Sequence, residues 1–206
     1  MKGLLYKDMM NLSGQFKLYL VFILLYGGIS IYGGNLGFLT GILGIMSAIL
    51  PTSAYAYDER AGWDRLALTM PIRREELVAC KYLLGWILIL IAFLLTVTAQ
   101  LLIGSDLAES LFVGLILVAT TLLYLSVLLP MLFRFGVEMS RVIYVVLLLV
   151  PAFAVSAAVL FFTVYRPLSV SKSFFIGTIC AFIFLAALIN YGSLRLSVKI
   201  YRKKEL

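Results

Sequence analysis

The sequence predicts an all-α membrane protein whose helices cross the bilayer six times. Of its 206 residues, 63% are hydrophobic, whereas soluble domains contain about 45–50% apolar residues. The mean hydropathy is +1.08, and the apolar residues fall in long runs separated by short polar segments. A soluble fold of this size could not bury that much apolar surface, so its surroundings are expected to be membrane lipid.

The charged residues are few and unevenly placed. A net charge of +7 would point to nucleic acid in a soluble protein. In a membrane protein it is typical of the positive-inside rule, so no nucleic-acid partner is expected. The two cysteines, Cys80 and Cys180, lie in different contexts, and the chain has no histidine. We therefore expect neither a disulfide nor a metal site.

The N-terminal segment, residues 3–16, is too polar to cross a membrane. Leu5, Met9, Leu12 and Phe16 recur at helical spacing and form one narrow apolar stripe. Such a stripe is typical of a helix that lies in the headgroup region. We therefore predict an N-terminal interfacial helix, with a simple extension of the first span as the alternative.

The apolar runs approach the ~20 residues that a helix needs to cross a bilayer. They predict spans at about 18–34, 36–57, 82–103, 111–133, 142–165 and 174–194, within a single membrane domain at 1–206. No signal-peptide cleavage site follows the first run, which we interpret as a retained span. Proline removes a backbone donor from a helix, so kinks are expected at Pro51, Pro130 and Pro151.

The second span carries small residues at a spacing of three to four. They are Gly37, Gly41, Gly44 and Ala48. Small side chains allow two helix backbones to approach closely. The pattern predicts a packing face, and it leaves open whether that face packs within one chain or forms a dimer interface.

The distribution of basic residues predicts the orientation. When both termini are placed in the cytoplasm, fifteen of the 17 Lys and Arg residues fall on the inner side. Only Arg166 and Lys172 then fall on the outer side. Cytoplasmic segments of membrane proteins carry such an excess of basic residues, so both termini are predicted to be cytoplasmic.

Residues 58–81 form the one long charged segment, with five of the 17 basic and five of the 10 acidic residues. Trp63, Leu66 and Met70 recur at helical spacing, and Pro71 ends that run because the residue before a proline avoids the helical region. A second helix can begin at Pro71 and continue into the third span. The segment therefore predicts a cytoplasmic helix–break–helix that docks a partner; an ordinary solvated loop is the alternative.

The sequence offers no catalytic motif. It contains no GxxxxGK phosphate loop, no HExxH, no GxSxG and no pair of carboxylates inside the spans. We therefore expect no enzyme activity from this chain alone, and no cofactor bound to it. Polar residues within the spans, such as Thr98, Ser126 and Asn190, are interpreted as interhelical hydrogen-bonding groups.

Two stretches carry a resemblance to a known family. Lys7-Asp8 matches the opening of bacterial ABC transporter permeases of the ABC-2 (type-2 exporter) class. The segment after the second span is similar to that of the family in the residues Glu59, Trp63, Pro71, Ile72, Arg74, Leu77, Val78, Lys81 and Tyr82. Within this class the chain resembles the permeases of phenol-soluble-modulin-type peptide exporters. Trp63 follows Glu59 by four residues, where the family spacing is five.

The resemblance implies a partner and a division of labour. A separate ABC ATPase subunit would hold ATP and Mg²⁺, and a second permease copy or a paralogue would complete the translocation path. The implied contacts to the ATPase are Lys7, Asp8, Glu59, Trp63, Asp64, Arg65, Arg73 and Arg74.

The implied function is outward movement of an amphipathic or hydrophobic cargo across the bacterial cell membrane. The cargo would be a peptide toxin, an antimicrobial peptide or a drug. A membrane scaffold, sensor or immunity protein without transport is the alternative, and it would be distinguished by ATPase activity that is indifferent to this chain.

Overall fold

The protein is a bundle of helices in the part of the chain that its computed structural model describes. This part comprises residues 2–33, 36–70, 73–165 and 172–203, with side chains described except at 2, 64, 65, 68, 141, 144, 147–165 and 172–180. The helices are α1 (Lys2–Tyr32), α2 (Gly37–Arg60), α3 (Trp63–Thr69), α4 (Arg74–Ile103), α5 (Leu107–Tyr165) and α6 (Lys172–Arg202). The prediction of an all-α membrane protein is confirmed.

Five segments within the described residues are long and apolar enough to cross a membrane. They are Gly3–Tyr32, Gly37–Arg60, Arg74–Ile103, Leu107–Ser140 and Ala181–Arg202. The predicted span at 142–165 has a helical backbone, but most of its side chains lie outside the described residues. The count of six spans therefore stays a prediction, as does the cytoplasmic location of both termini.

The N-terminal segment does not form a separate helix. α1 runs without interruption through 31 residues, so residues 3–16 continue into the first span, as the alternative predicted. The location of these residues in the headgroup region stays a prediction. Leu12 is fully buried against Leu50 and Leu84, so this part of the apolar stripe packs on α2 and α4, while Met9 and Phe16 are 42% and 37% exposed.

The charged segment contains one break more than predicted. α2 continues through Asp58 and Glu59 to Arg60, and α3 starts only after Gly62, which has a left-handed φ of 63°. Glycine adopts this conformation without the steric penalty of a side chain. α4 then begins at Arg74 and forms one helix with the third span. The sequence predicted such a continuous helix after Pro71.

α5 changes conformation at Gly136, where φ is 78° and ψ is −175°. A helix cannot continue through these angles, so residues 107–135 and 137–165 are two helical segments. The segment before Gly136 packs against α2 and α4, and α5 also packs extensively against α6.

The ends of several helices meet at one end of the bundle. Lys7 of α1 pairs with Asp58 near the end of α2, and Arg74 at the start of α4 donates to the backbone oxygen of Arg202 at the end of α6. Gly136 lies beside Glu59 of α2. We call this region the basic end; it gathers charges that the orientation argument assigned to the inner side.

Candidate functional site at the basic end

Four charged side chains form a closed arrangement between three helices. Lys7 and Asp8 come from α1, Asp58 from α2 and Lys81 from α4. The Nζ of Lys7 lies 2.6 Å from Asp58 Oδ1 and 3.1 Å from Asp8 Oδ1. The Nζ of Lys81 lies 2.7 Å from Asp8 Oδ2 and 2.7 Å from Asp58 Oδ2. Each lysine thus bridges both aspartates, and we call this set the charge quartet.

The charge quartet is largely removed from solvent. Asp8 is 1% exposed, and Asp58 and Lys81 are each 5% exposed. Two lysines and two aspartates cancel in charge, and this neutrality is what allows them to be buried together. Loss of one partner from a buried ion pair costs ~3–5 kcal/mol because the remaining charge is uncompensated. The charge quartet therefore fixes the relative positions of α1, α2 and α4.

α3 lies next to the charge quartet through Trp63. The Nζ of Lys7 lies 4.4 Å from the centre of the Trp63 ring, within the range of a cation–π interaction. Trp63 thus points toward the bundle. Among the described side chains of α3 and its end, Leu66 and Met70 are 54% and 43% exposed.

The other predicted contact residues of the charged segment lie around this site. Arg73 is exposed, while Arg74 donates from Nη1 to the Arg202 backbone oxygen at 2.8 Å, and Arg202 pairs with Glu75. The side chains of Asp64 and Arg65 lie outside the described residues. The contact of all these residues with an ATPase stays a prediction.

Glu59 has a partner within the chain. Its Oε2 accepts a hydrogen bond of 3.1 Å from the backbone N–H of Val137. Val137 is the first residue after the break at Gly136, so the carboxylate lies at the N-terminus of the helix 137–165, where the helix dipole favours a negative charge. Glu59 thereby connects the end of α2 to the second half of α5.

An aromatic cluster supports the charge quartet from within the bundle. The ring of Phe133 in α5 contacts Tyr55 of α2 at 5.3 Å and Tyr201 of α6 at 5.6 Å between ring centres. Both contacts are edge-on, an arrangement that aromatic pairs prefer. All three residues line a cavity of about 20 Å³ together with the charge quartet. The aromatic cluster thus extends the fixed region to α5 and α6.

A polar cluster joins α4, α5 and α6 at the same half of the bundle. Asn190 accepts from Trp86 Nε1 at 3.0 Å and donates to Ser126 Oγ at 3.0 Å. Tyr82 Oη lies 2.7 Å from Ser193 Oγ. Thr98 bonds only backbone oxygens of its own helix among the described residues. The predicted interhelical role therefore holds for Asn190 and Ser126 and not for Thr98.

Of the four small residues of α2, two pack within the bundle and two are exposed. Ala48 is buried, and a Cβ built on Gly44 would lie 3.5 Å from the Thr121 side chain of α5. Gly41 is exposed, with no atom within 4 Å of such a Cβ, and Gly37 is exposed too. The alternative of a dimer interface stays a prediction.

The proline kinks stay predictions, because a helix can bend at a proline while its residues keep helical angles. α2 and the first half of α5 remain helical at Pro51 and Pro130, and the non-helical angles of α5 occur at Gly136. The side chain of Pro151 lies outside the described residues.

The sequence alone did not bring Asp58 and Lys81 to the centre of the site. Both residues were assigned to the charged segment that was predicted to dock a partner, and burial was not expected because charged side chains are rarely buried. Two signals were present: the charged segment has equal numbers of acids and bases, and Asp8 is the single acid among residues 2–32. Their pairing depends on how α1, α2 and α4 pack together, which no local pattern specifies.

The fold and the site define an integral membrane protein whose helices are joined by buried charges at one end. The model of the ABC-2 family transporter proteins matches residues 3–202, and the chain therefore belongs to the ABC-2 family. No curated protein and no solved structure matches the chain. As a member of this family it is a membrane component of a transporter, a permease that generally works with an ABC ATPase subunit and is not catalytic by itself.

Proposed function

We propose that this chain is the permease subunit of an exporter that moves amphipathic or hydrophobic cargo outward across a bacterial cell membrane. A separate ATPase that binds ATP and Mg²⁺ docks at the basic end, and a second permease copy or a paralogue completes the path. The observation that supports a transporter permease is the family match over residues 3–202. We place the site of coupling at the charge quartet. It joins α1, α2 and α4 to one another, and through Lys7 it contacts Trp63 of the docking helix α3.

The docking surface is the outer face of α3 and its flanks. Leu66 and Met70 expose apolar side chains there, and Arg60 and Arg73 add exposed positive charges on either side. An apolar centre with charged neighbours is the usual anatomy of a protein interface. Lys7, Asp8 and Trp63 contribute indirectly in this proposal, because they hold α3 against the bundle.

Movement of α3 is transmitted because its support is stiff. Asp8, Asp58 and Lys81 are buried, Lys7 is partly buried, and each of the four has two partners of opposite charge. Displacing α3 by closure of the ATPases would therefore move the ends of α1, α2 and α4 together. An exposed network of the same residues would be screened and would yield more easily.

An amphipathic cargo is supported by the groove between α2 and the first half of α5. This groove has a volume of about 220 Å³. Its lining is mostly apolar but includes hydroxyl groups of Thr40, Thr120, Thr121 and Tyr124. Such a lining suits a ligand with both apolar and hydrogen-bonding groups.

The proposed function is tested by isolating the chain from its native membrane with its partners. We expect a protein with a GxxxxGK phosphate loop to co-purify, and we expect its ATP hydrolysis to change when the two chains are combined in lipid vesicles. The Leu66→Asp variant should lose this ATPase, whereas Leu107→Asp, at the opposite end of the bundle, should retain it. ATP hydrolysis that is indifferent to the wild-type chain would instead support a scaffold, sensor or immunity protein.

A further inference from the structure

The break at Gly136 is held by a contact from another helix. Val137 donates its backbone N–H to Glu59 Oε2 at 3.1 Å. A Cβ added to Gly136 would approach Glu59 Oε1 to 2.9 Å, so the absence of a side chain is what lets the carboxylate reach the helix end. On the following turn, Ser140 donates its hydroxyl to the backbone oxygen of Gly136 at 2.6 Å.

Glu59 lies between the docking helix and the charge quartet along the chain. Its neighbour Asp58 is held by both lysines of the charge quartet. Its backbone oxygen accepts a hydrogen bond of 3.2 Å from Gly62 N, directly before α3. A displacement of α3 therefore reaches Glu59 through three residues of backbone, and Glu59 is the side chain there that contacts the second half of α5.

We infer that Glu59 is a positioning residue that transmits the movement of α3 to the helix 137–165. This inference rests on the proposed transport function, and it assigns Glu59 a role that is distinct from a contact with the ATPase. Glu59 is exposed, so water can replace either partner when the contact opens, and the contact can form and break at low cost. The charge quartet beside it is buried and stays closed, so the two adjacent acids have different roles.

The contact itself is tested on the full chain in lipid nanodiscs by hydrogen exchange of backbone amides at 136–140. In Glu59→Ala we expect this segment to exchange about tenfold faster, the factor that follows from the loss of one hydrogen bond. Glu59→Gln keeps a side-chain oxygen acceptor and should stay within about twofold of the wild type. Glu138→Ala is the matched control, because it removes an exposed acid from the same first turn. Equal exchange in Glu59→Ala and the wild type would overturn the inference.

The transmitting role is tested with the ATPase that co-purifies with the wild-type chain, using ATP-driven uptake of a dye-labelled amphipathic peptide into inverted vesicles. We expect Glu59→Ala to bind the same amount of ATPase and to retain ATP hydrolysis, while peptide transport falls at least about fivefold. Glu59→Gln should restore most of the transport. Loss of ATPase binding in Glu59→Ala would overturn the inference and make Glu59 a docking residue, and unchanged transport would overturn it as well. A wild-type chain that bound no ATPase would contradict the proposed function, and the inference with it.

Discussion

At the scale of single residues, the four members of the charge quartet depend on one another. Asp8 has a lysine partner on each side, at 3.1 Å and 2.7 Å. Removal of Asp8 alone would leave two lysines and one aspartate in a buried site. An uncompensated buried charge is costly, while a buried neutral pair can be replaced at little cost. A single substitution should therefore lower the free energy of unfolding more than a double substitution that removes one acid and one base.

We predict that Asp8→Asn and Lys81→Met each lower the free energy of unfolding by ~3–5 kcal/mol. The double variant should lose less than either single variant, since Lys7 and Asp58 then remain as a neutral pair. Unfolding of the purified chain in mixed micelles measures these differences. Asp106→Asn, an exposed acid at the opposite end, is the control. Additive losses in the double variant would contradict the structure of the charge quartet.

The orientation and pairing of single side chains were the features least predictable from the sequence. Lys7, Asp8 and Trp63 were selected through the family resemblance, but their orientation toward one another was not predictable. Trp63 has helical spacing to Leu66 and Met70, which indicated that the three side chains share one side of a helix. In the structure the tryptophan ring lies over Lys7 while the other two side chains are exposed. The pairing partner decides between these orientations, and it is distant along the chain.

At the scale of elements, the break in α5 follows from one glycine. α5 keeps helical angles through Pro130 and departs from them at Gly136. A positive φ is costly for residues with a side chain and is not costly for glycine. The predicted spans at 111–133 and 142–165 leave residues 134–141 between them, and the break lies in this interval. Its position at Gly136 was not predicted, because an isolated glycine in a helical pattern is usually tolerated within the helix.

We predict that Gly136→Ala lowers the free energy of unfolding by ~1–3 kcal/mol, because its φ of 78° is unfavourable for alanine. The added Cβ would also displace the Glu59 carboxylate. Gly28→Ala, within α1 and with open space around the added Cβ, is the matched control and should be neutral or slightly stabilising. A Gly136→Ala protein as stable as the wild type would show that α5 can continue without this break.

The interhelical polar cluster supports a second prediction at this scale. Asn190→Leu removes the hydrogen bonds to Trp86 and Ser126. Such bonds average ~0.6 kcal/mol each in membrane proteins, so we expect a loss of ~1–2 kcal/mol in thermal unfolding experiments. Thr98→Val removes a hydroxyl that bonds its own helix and should cost less than ~0.5 kcal/mol. Equal losses in the two variants would contradict the assigned contacts.

At the scale of the whole molecule, composition and hydropathy predicted the helical membrane protein and most helix positions. They succeeded because long apolar runs admit few structures in lipid. They did not show that the N-terminal segment and the first span form one helix, because the apolar stripe is compatible with a separate helix and with a continuous one. The basic end collects the ends of α1, α2, α4 and α6 and the break in α5. One displaced helix there can affect most of the bundle.

The most direct test of this account is ATP-driven transport of a dye-labelled amphipathic peptide in vesicles that contain the chain and its co-purified ATPase. We predict transport with the wild-type chain and with Leu107→Asp. Leu66→Asp, which places a charge on the exposed face of α3, should reduce transport at least about tenfold, since burying an unpaired charge in an interface disrupts it. Transport by Leu66→Asp at the wild-type rate would contradict the claim that the ATPase acts through α3 at the basic end.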